Sequence, residues 1–276
     1  MTSDYLKIEK LTCGYNKGFK LKGVSFSLKQ GALAGIIGPN GSGKTTLFKG
    51  ISGHLNIISG NIHLHNININ NLKLKQKAKK IAVVSQFPDA ADLTVEDYVI
   101  MGRLPYRETF QFFESRKDVL IARKYMRLTG IYEHRKKHLS QLSGGEQQLA
   151  SIAQALTQEP DLLLMDEPTS HLDITHQVQI LNLIQRLNKE MNLTVLMIIH
   201  DLNLAAEYCE YLIMMKQGAI HTKGTPKEVL TYDKIEQVYN TVVVTQNNPL
   251  SDKPAVFLVS ENILKEIQRK YGYIQR

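Results

Sequence analysis

The segment Gly38-Pro39-Asn40-Gly41-Ser42-Gly43-Lys44-Thr45 constrains this chain more than any other. It matches GxxxxGK[ST], and its flanks are those the match requires: an almost wholly apolar run, Ala32 to Ile37, enters it, and a helix-forming stretch leaves it from Thr45. Glycines let such a loop come close to a ligand and take positive φ. Successive backbone N–H groups ahead of a helix N-terminus form an anion site. Lys44 supplies a cation for the β- and γ-phosphates of a triphosphate such as ATP. The Thr45 hydroxyl is placed to ligate Mg²⁺, and Thr46 follows in the same turn. A glycine-rich turn that binds nothing is the alternative, and the agreement of loop and both flanks sets it aside.

Around this loop, strand-like runs alternate with helical periodicities, the pattern of an α/β fold with a mostly parallel sheet. Leu6 to Leu11 and Lys20 to Leu28 read as strands of an antiparallel flank. Ile81 to Ser85, Asp161 to Met165 and Thr194 to Ile199 read as core strands. Leu149, Ile152, Ala153 and Leu156 recur as one buried helix face would, and Ile174 to Lys189 reads as another helix. A charge-rich helical stretch fills roughly 72–138, and Gln246 to Lys253 is the best loop candidate. The expected organisation is a P-loop NTPase domain over 1–230 with an inserted helical subdomain at about 90–157, then an appendage over 231–276.

The acidic pair in Leu162-Leu163-Leu164-Met165-Asp166-Glu167 narrows the chemistry. Four apolar residues put Asp166 at the C-terminal end of a strand beside the phosphate loop, where it can hold Mg²⁺ through water. Glu167 follows directly and is placed to orient or deprotonate an attacking water. The plainer reading, that the pair caps the next helix, loses weight because strand ends in P-loop folds face the nucleotide.

Leu142-Ser143-Gly144-Gly145-Glu146 opens the periodic helix upstream of that strand. Small residues at a second helix N-terminus suit another phosphate group. Here the chain resembles the nucleotide-binding subunits of ABC transporters, whose signature is LSGGQ or LSGGE. The resemblance implies that Ser143, Gly144 and Gly145 receive the γ-phosphate of ATP held on a partner subunit, so that two copies work as a homodimer. It further implies that Tyr15 stacks on adenine, that Gln86 contacts Mg²⁺ and senses a membrane subunit, and that Asp173, in Ser170-His171-Leu172-Asp173, lies on a loop crossing the dimer seam. His200 matches the histidine that contacts the γ-phosphate, beside Glu167 as catalytic base. Where the family carries arginines on the signature helix, this chain has Leu149 and Gln154.

Thr94 to Val99 followed by Gly102-Arg103-Leu104-Pro105-Tyr106, and the ending around Val238 to Val256, are similar to importers of iron-siderophores, haem and cobalamin. That similarity implies polytopic permease subunits as partners, a substrate-binding protein acting through them, and a place on the cytoplasmic face of the membrane. The alternatives are a channel-free ABC ATPase serving iron–sulfur assembly or nucleic-acid transactions, and an importer of a bare metal ion or other small solute.

Composition excludes other classes. No apolar run reaches the roughly 18–20 residues that span a bilayer, and the first residues lack signal-peptide regions, so the chain itself is expected to be soluble. Of 276 residues 34 are basic and 26 acidic, a net charge of +8 that suits an anionic ligand without choosing one. The basic runs Lys73 to Lys80 and Arg135 to His138 lack interleaved stacking aromatics, so no nucleic acid is expected. Cys13 and Cys209 lie far apart with no metal-ligand spacing.

Overall fold

The computed structural model describes residues 4–15, 18–85, 93–108 and 114–271. The chain opens with β1 (Leu6–Cys13) and β2 (Val24–Leu28), then β3 (Leu33–Ile37), which runs into the glycine loop and α1 (Lys44–Ser52). β4 (Ile57–Leu64) and β5 (Ile67–Asn68) follow, and a short α2 (Leu74–Ala78) leads to β6 (Ile81–Val84). A helical stretch holds α3 (Val95–Ile100), a 3₁₀ turn at Met101–Tyr106, α4 (Arg116–Thr129) and α5 (Gly144–Thr157). Then come β7 (Leu162–Asp166), α6 (Ile174–Met191), β8 (Thr194–Ile198) and α7 (Leu202–Tyr208). β9 (Tyr211–Lys216) pairs with β10 (Ala219–Gly224). The described chain ends with α8 (Pro226–Val229), α9 (Tyr232–Tyr239), β11 (Val243–Asn247), β12 (Pro254–Leu258) and α10 (Glu261–Tyr271).

The central sheet runs β10-β9-β3-β8-β7-β6, parallel from β9 to β6, with β10 antiparallel at one edge. Its inner strands are apolar because both faces are covered: every residue of β3 and β8 is buried. Side chains alternate between two cores as the strand period demands. Leu33, Ile37, Leu163, Met165, Val195 and Met197 pack with α5, α6 and α7 on one face. Ala34, Ile36, Leu162, Leu164, Leu196 and Ile198 pack with α1 and the flank sheet on the other. That flank sheet, β2-β1-β4-β5, is antiparallel throughout.

The helical stretch has a core of its own, in which Val95, Val99, Met126, Leu139 and Ala150 meet. Ile152, Ala153 and Leu156 of α5 are fully buried, as their spacing predicts. Leu149 packs against both this core and that of the central sheet, which gives an apolar residue its place there. The C-terminal elements join the main core as well, through Ile235, Val238, Val243 and Val256.

Two expectations shift. The strand expected from Lys20 starts at Val24, because Gly23 turns with φ 65° and Lys20 keeps only an isolated bridge to Gly14. The loop expected at Gln246 shortens, because Gln246 and Asn247 pair with Ala255 and Pro254 in a hairpin. Among the described residues, no helix is long and apolar enough to cross a membrane.

Candidate functional site

The apolar drive that buries β3 delivers the glycine loop to the C-terminal edge of the sheet, where β7 and β8 also end. Gly38 must be glycine here: a Cβ would stand 2.4 Å from the Met215 carbonyl oxygen. Gly43, at φ 105°, caps α1 with no side-chain hydrogen bond, so the first N–H groups of that helix stay open toward the loop. The Lys44 ammonium folds back across it, donating to the carbonyls of Gly38 at 2.8 Å and Pro39 at 3.1 Å. Burial lowers the Lys44 pKa below the usual lysine range, and the carboxylates of Glu167 and Asp166 work against that shift.

Asp166 ends β7 half-buried. Burial pushes its carboxyl up, and the neighbouring Glu167 charge adds to the effect. Glu167 takes a left-handed conformation, φ 52°, that a glutamate adopts only where its surroundings hold it. Burial would raise its carboxyl too, but bonds from His200 and Ser170 and the charge of Lys44 outweigh this and hold it below the usual range. His200 Nε2 lies 2.5 Å from Glu167 Oε1, and the Ser170 hydroxyl donates to Oε2 at 2.8 Å. Groups from three separate stretches of sequence are thus one electrostatic unit around an anion cradle: Lys44, the pair Asp166 and Glu167, and His200.

A cleft of about 300 Å³ opens over this unit, with Asn40, Gly41, Lys44, Thr45, Thr46 and Glu167 among its walls. Phe19 is another wall, one that the residue pattern does not single out. Its ring packs over Gly43, where a Cβ would come within 2.9 Å of it. Tyr15 does not line the cleft. The residue is 44% exposed, and its hydroxyl accepts a 3.4 Å bond from Lys49. The two aromatics are nevertheless linked, since the Tyr15 N–H donates to the Phe19 carbonyl at 3.1 Å. An aromatic closing the same short turn as Tyr15 is the signal that would have found Phe19. A larger hollow of about 700 Å³ on the flank sheet, beside Lys7, Glu9 and Lys223, has no comparable cradle.

The signature residues form a separate surface. Ser143 Oγ accepts from the Glu146 N–H at 3.3 Å, and Glu146 Oε2 accepts from the Ser143 N–H at 2.7 Å, a reciprocal cap on α5. Gly144 is exposed; Gly145 is buried under the ring of His176, where a Cβ would lie 2.7 Å from Cδ2. His176 in turn bonds Asp173, which caps α6. Among the described residues, Ser143, Gly144, Gly145 and Asp173 are not walls of the cleft. Gln86 lies outside the described residues. No cluster of three or more His, Cys, Asp or Glu side chains suited to a metal occurs among the described residues.

The family model for ABC transporters matches residues 21–170, the stretch that carries both the phosphate loop and the signature. The chain belongs to the ABC transporter family. As an ABC ATPase it binds and hydrolyses ATP. It is 38% identical over 250 residues to the iron(3+)-hydroxamate import ATP-binding protein FhuC of Bacillus subtilis, covering 90% of this chain and 93% of that one. The ferric enterobactin transport ATP-binding protein FepC of Escherichia coli is 35% identical over 91% of this chain and 93% of its own. Among solved structures, this ABC ATPase superposes on a metal-chelate type ABC transporter in an inward-facing conformation with TM-score 0.82 and 25% identity, over 95% of this chain and 100% of that chain. The dimeric post-hydrolysis state of the cassette MJ0796, bound to ADP and Pi, aligns with TM-score 0.69 and 28% identity over 80% of this chain and 98% of that one.

Proposed function

We propose that this ABC ATPase powers a membrane importer for an iron chelate, haem or cobalamin, working as a homodimer beneath polytopic permease subunits on the cytoplasmic face of the membrane. One observation carries the mechanism. A single chain gathers Lys44, Asp166, Glu167 and His200 around an anion cradle, while its signature helix start stands exposed and apart from that cleft. Two copies related by a two-fold axis would complete both sites at once, each supplying Ser143, Gly144 and Gly145 to the γ-phosphate held by the other. Asp173 would lie along the same seam.

The side chains then divide the work. Lys44 exchanges the two carbonyls it holds in this structure for β- and γ-phosphate oxygens. Glu167 accepts a proton from the attacking water as the γ-phosphoryl bond breaks. His200, now paired with Glu167, shifts to the γ-phosphate, which frees the base and makes its release depend on ATP. The Thr45 hydroxyl and the Asp166 carboxylate are hard oxygen donors of the kind Mg²⁺ takes, and Gln86 is a further candidate. Bound there, Mg²⁺ would neutralise phosphate charge. ATP closes the pair and hydrolysis reopens it, a two-state clamp that the permease reads as alternating access.

The import reading is supported by relatives named for ferric hydroxamate and ferric enterobactin. Purification from detergent-solubilised membranes should recover the chain with a polytopic partner. Liposomes holding that complex and its substrate-binding protein should take up one of a ferric siderophore, haem or cobalamin in an ATP-dependent way. Recovery without a membrane partner would overturn import in favour of a channel-free ATPase, and uptake of none of the three would overturn the solute class.

A further inference from the structure

The C-terminal elements touch both loops that reach the phosphates, and the mechanism above uses neither contact. α9 ends at Tyr239, whose hydroxyl oxygen is buried. Burial pushes that hydroxyl up to about 12, against the pull of the Gly38 backbone N–H it faces. Two residues earlier, the Gln237 carbonyl accepts a bond from Lys216 at the end of β9. β9 pairs with β3 as far as Ile37 and Met214, one residue short of the glycine loop. Ile37, Met214 and Val238 share one core, with Tyr239 packed against it. The end of α9 therefore sits behind the first residue of the phosphate loop.

A second tie reaches the other loop. Val256 of β12 donates its N–H to Asn203 Oδ1 at 2.7 Å, and Asn203 Nδ2 donates to the Val256 carbonyl at 3.3 Å. Asn203 lies in the first turn of α7, whose cap, Asp201, directly follows His200. The same helix is held again near its end, where Ser251 Oγ donates to Glu207 Oε2 at 2.8 Å and Lys253 Nζ to the Glu207 carbonyl.

We propose that the segment from Thr231 to Leu258 is a brace for ATP hydrolysis, with Tyr239 a positioning residue for the phosphate loop and Asn203, through Val256, a positioning residue for His200. The inference rests on the roles given above to Lys44 and His200. Packing alone does not account for the Tyr239 hydroxyl: a phenyl ring would fill the same space but would leave the Gly38 N–H without the oxygen it faces. What the oxygen does offer is a polar group behind Gly38, at the point where the loop must hold its shape when phosphates replace the carbonyls on Lys44. The Asn203 pair, in turn, ties the helix that directly follows His200 to the same segment, so the brace spans the two sides of the cleft.

The experiment uses full-length protein and measures ATPase kinetics, ATP binding and thermal midpoints for Tyr239→Phe, Asn203→Ala, Asn203→Asp, His200→Ala and the pair Asn203→Ala with His200→Ala. Tyr239→Phe should change the midpoint little while weakening ATP binding about five-fold, the worth of the contact to the Gly38 N–H. Asn203→Ala should lower kcat about ten-fold at unchanged KM. Asn203→Asp keeps the acceptor for the Val256 N–H and should restore most of that loss. Because Asn203 acts through His200, the double variant should be no slower than His200→Ala alone. A Tyr239→Phe protein with a lower midpoint and normal ATP affinity would overturn the phosphate-loop half. Losses that add in the double variant would overturn the other half. If His200→Ala hydrolyses ATP like wild type, the role of His200 falls with it, and the Tyr239 variant still decides the brace at the loop.

Discussion

α1 and α5 both have glycine at their start, as the cap of one and the first residue of the other, yet their first turns are treated in opposite ways. α1 starts after Gly43 with no side-chain cap, and Lys44, Asp166, Glu167 and His200 converge nearby. α5 starts at Gly144 with its N-terminus closed by Ser143 and Glu146, and it is exposed. An uncapped helix start beside a cation calls for an anion in place. A capped, exposed start that places glycine toward solvent is stable alone and accepts a ligand from outside. The difference separates a half-site finished within one chain from a half-site finished by another, and it can be attacked from either end.

The largest effect should come from the finished half. Glu167→Gln keeps the shape of the side chain and removes its capacity to take a proton, so kcat should fall by about 10²–10⁴-fold. ATP affinity should stay, and gel filtration with ATP should show an accumulated dimer. Lys44→Ala should instead weaken binding itself, since it deletes the charge aimed at the phosphates. A Glu167→Gln enzyme turning over near the wild-type rate would remove Glu167 from its role and with it the contrast between the halves.

The joint between the two regions comes next. Arg103, in the 3₁₀ turn after α3, is buried and donates to Asp118 at 2.8 Å, to Glu159 at 2.9 Å and to the Thr157 carbonyl at 3.0 Å. Its guanidinium also lies 3.9 Å from the centroid of the Tyr106 ring. These bonds fasten the 3₁₀ turn and the start of α4 to the end of α5 and to the link that leads into β7. Arg103→Ala strands a buried carboxylate and should cost about 3–5 kcal/mol in urea unfolding. Burial pushes the Asp118 carboxyl up, but Ser115 and Arg103 hold it below its usual range. A folded value below the unfolded one makes this contribution full above the unfolded value of about 3.9, and lost as pH falls through the folded one. Wild type should therefore lose more stability than Arg103→Ala between pH 5 and 3, both set as assay conditions. Parallel pH curves would show that the pair does not hold the joint.

The finished half was far more legible in the residues than this joint. Apolar runs such as Leu33–Ile37 and Leu162–Met165 announce buried strands, and a glycine loop between strand and helix announces an anion. Asp166 and Glu167 follow from standing at a strand end. The bond between Glu167 and His200, 33 positions apart, is tertiary and leaves no local trace. Arg103 enters the sequence only as part of an importer-like segment, and its pairing with Asp118 and Glu159 is tertiary. Strand limits at Gly23 and Gln246 depended on a turn and a pairing partner that periodicity does not encode.

The unfinished half should break without damage to the first. Gly144 is open: a Cβ there meets only Leu172, at 3.5 Å. Gly144→Asp should therefore fold and bind ATP as wild type does. Its carboxylate would meet the partner's γ-phosphate across the seam, and like charges so placed cost several kcal/mol. Hydrolysis should fall about 10²-fold and the ATP-dependent dimer should vanish, read by single-site binding assays beside light scattering. A variant that cannot bind ATP as a monomer would show that the signature belongs to the site in its own chain, and the comparison would fail.

The smallest effect concerns where adenine lies relative to the finished half. Family resemblance assigns the stacking role to Tyr15, whereas Phe19 is the aromatic that lines the cleft and packs on Gly43. Stacking of a base on an aromatic ring is worth roughly 1–3 kcal/mol, about five- to 150-fold in affinity. If Tyr15 stacks, its ring must leave Lys49, a weak bond of 3.4 Å on an exposed side chain, so the move costs little. Tyr15→Ala should then weaken ATP binding within that range and Tyr15→Phe should not. Phe19→Ala removes a wall beside the triphosphate, not a platform for the base, so it should weaken ATP and inorganic triphosphate alike. Tyr15→Ala should leave inorganic triphosphate untouched, because that ligand has no base to stack. Competition of each ligand against a fluorescent nucleotide, for the three variants and wild type, separates the roles. If Phe19→Ala instead spares triphosphate while ATP binding falls, the base stacks on Phe19 and the assignment to Tyr15 is wrong.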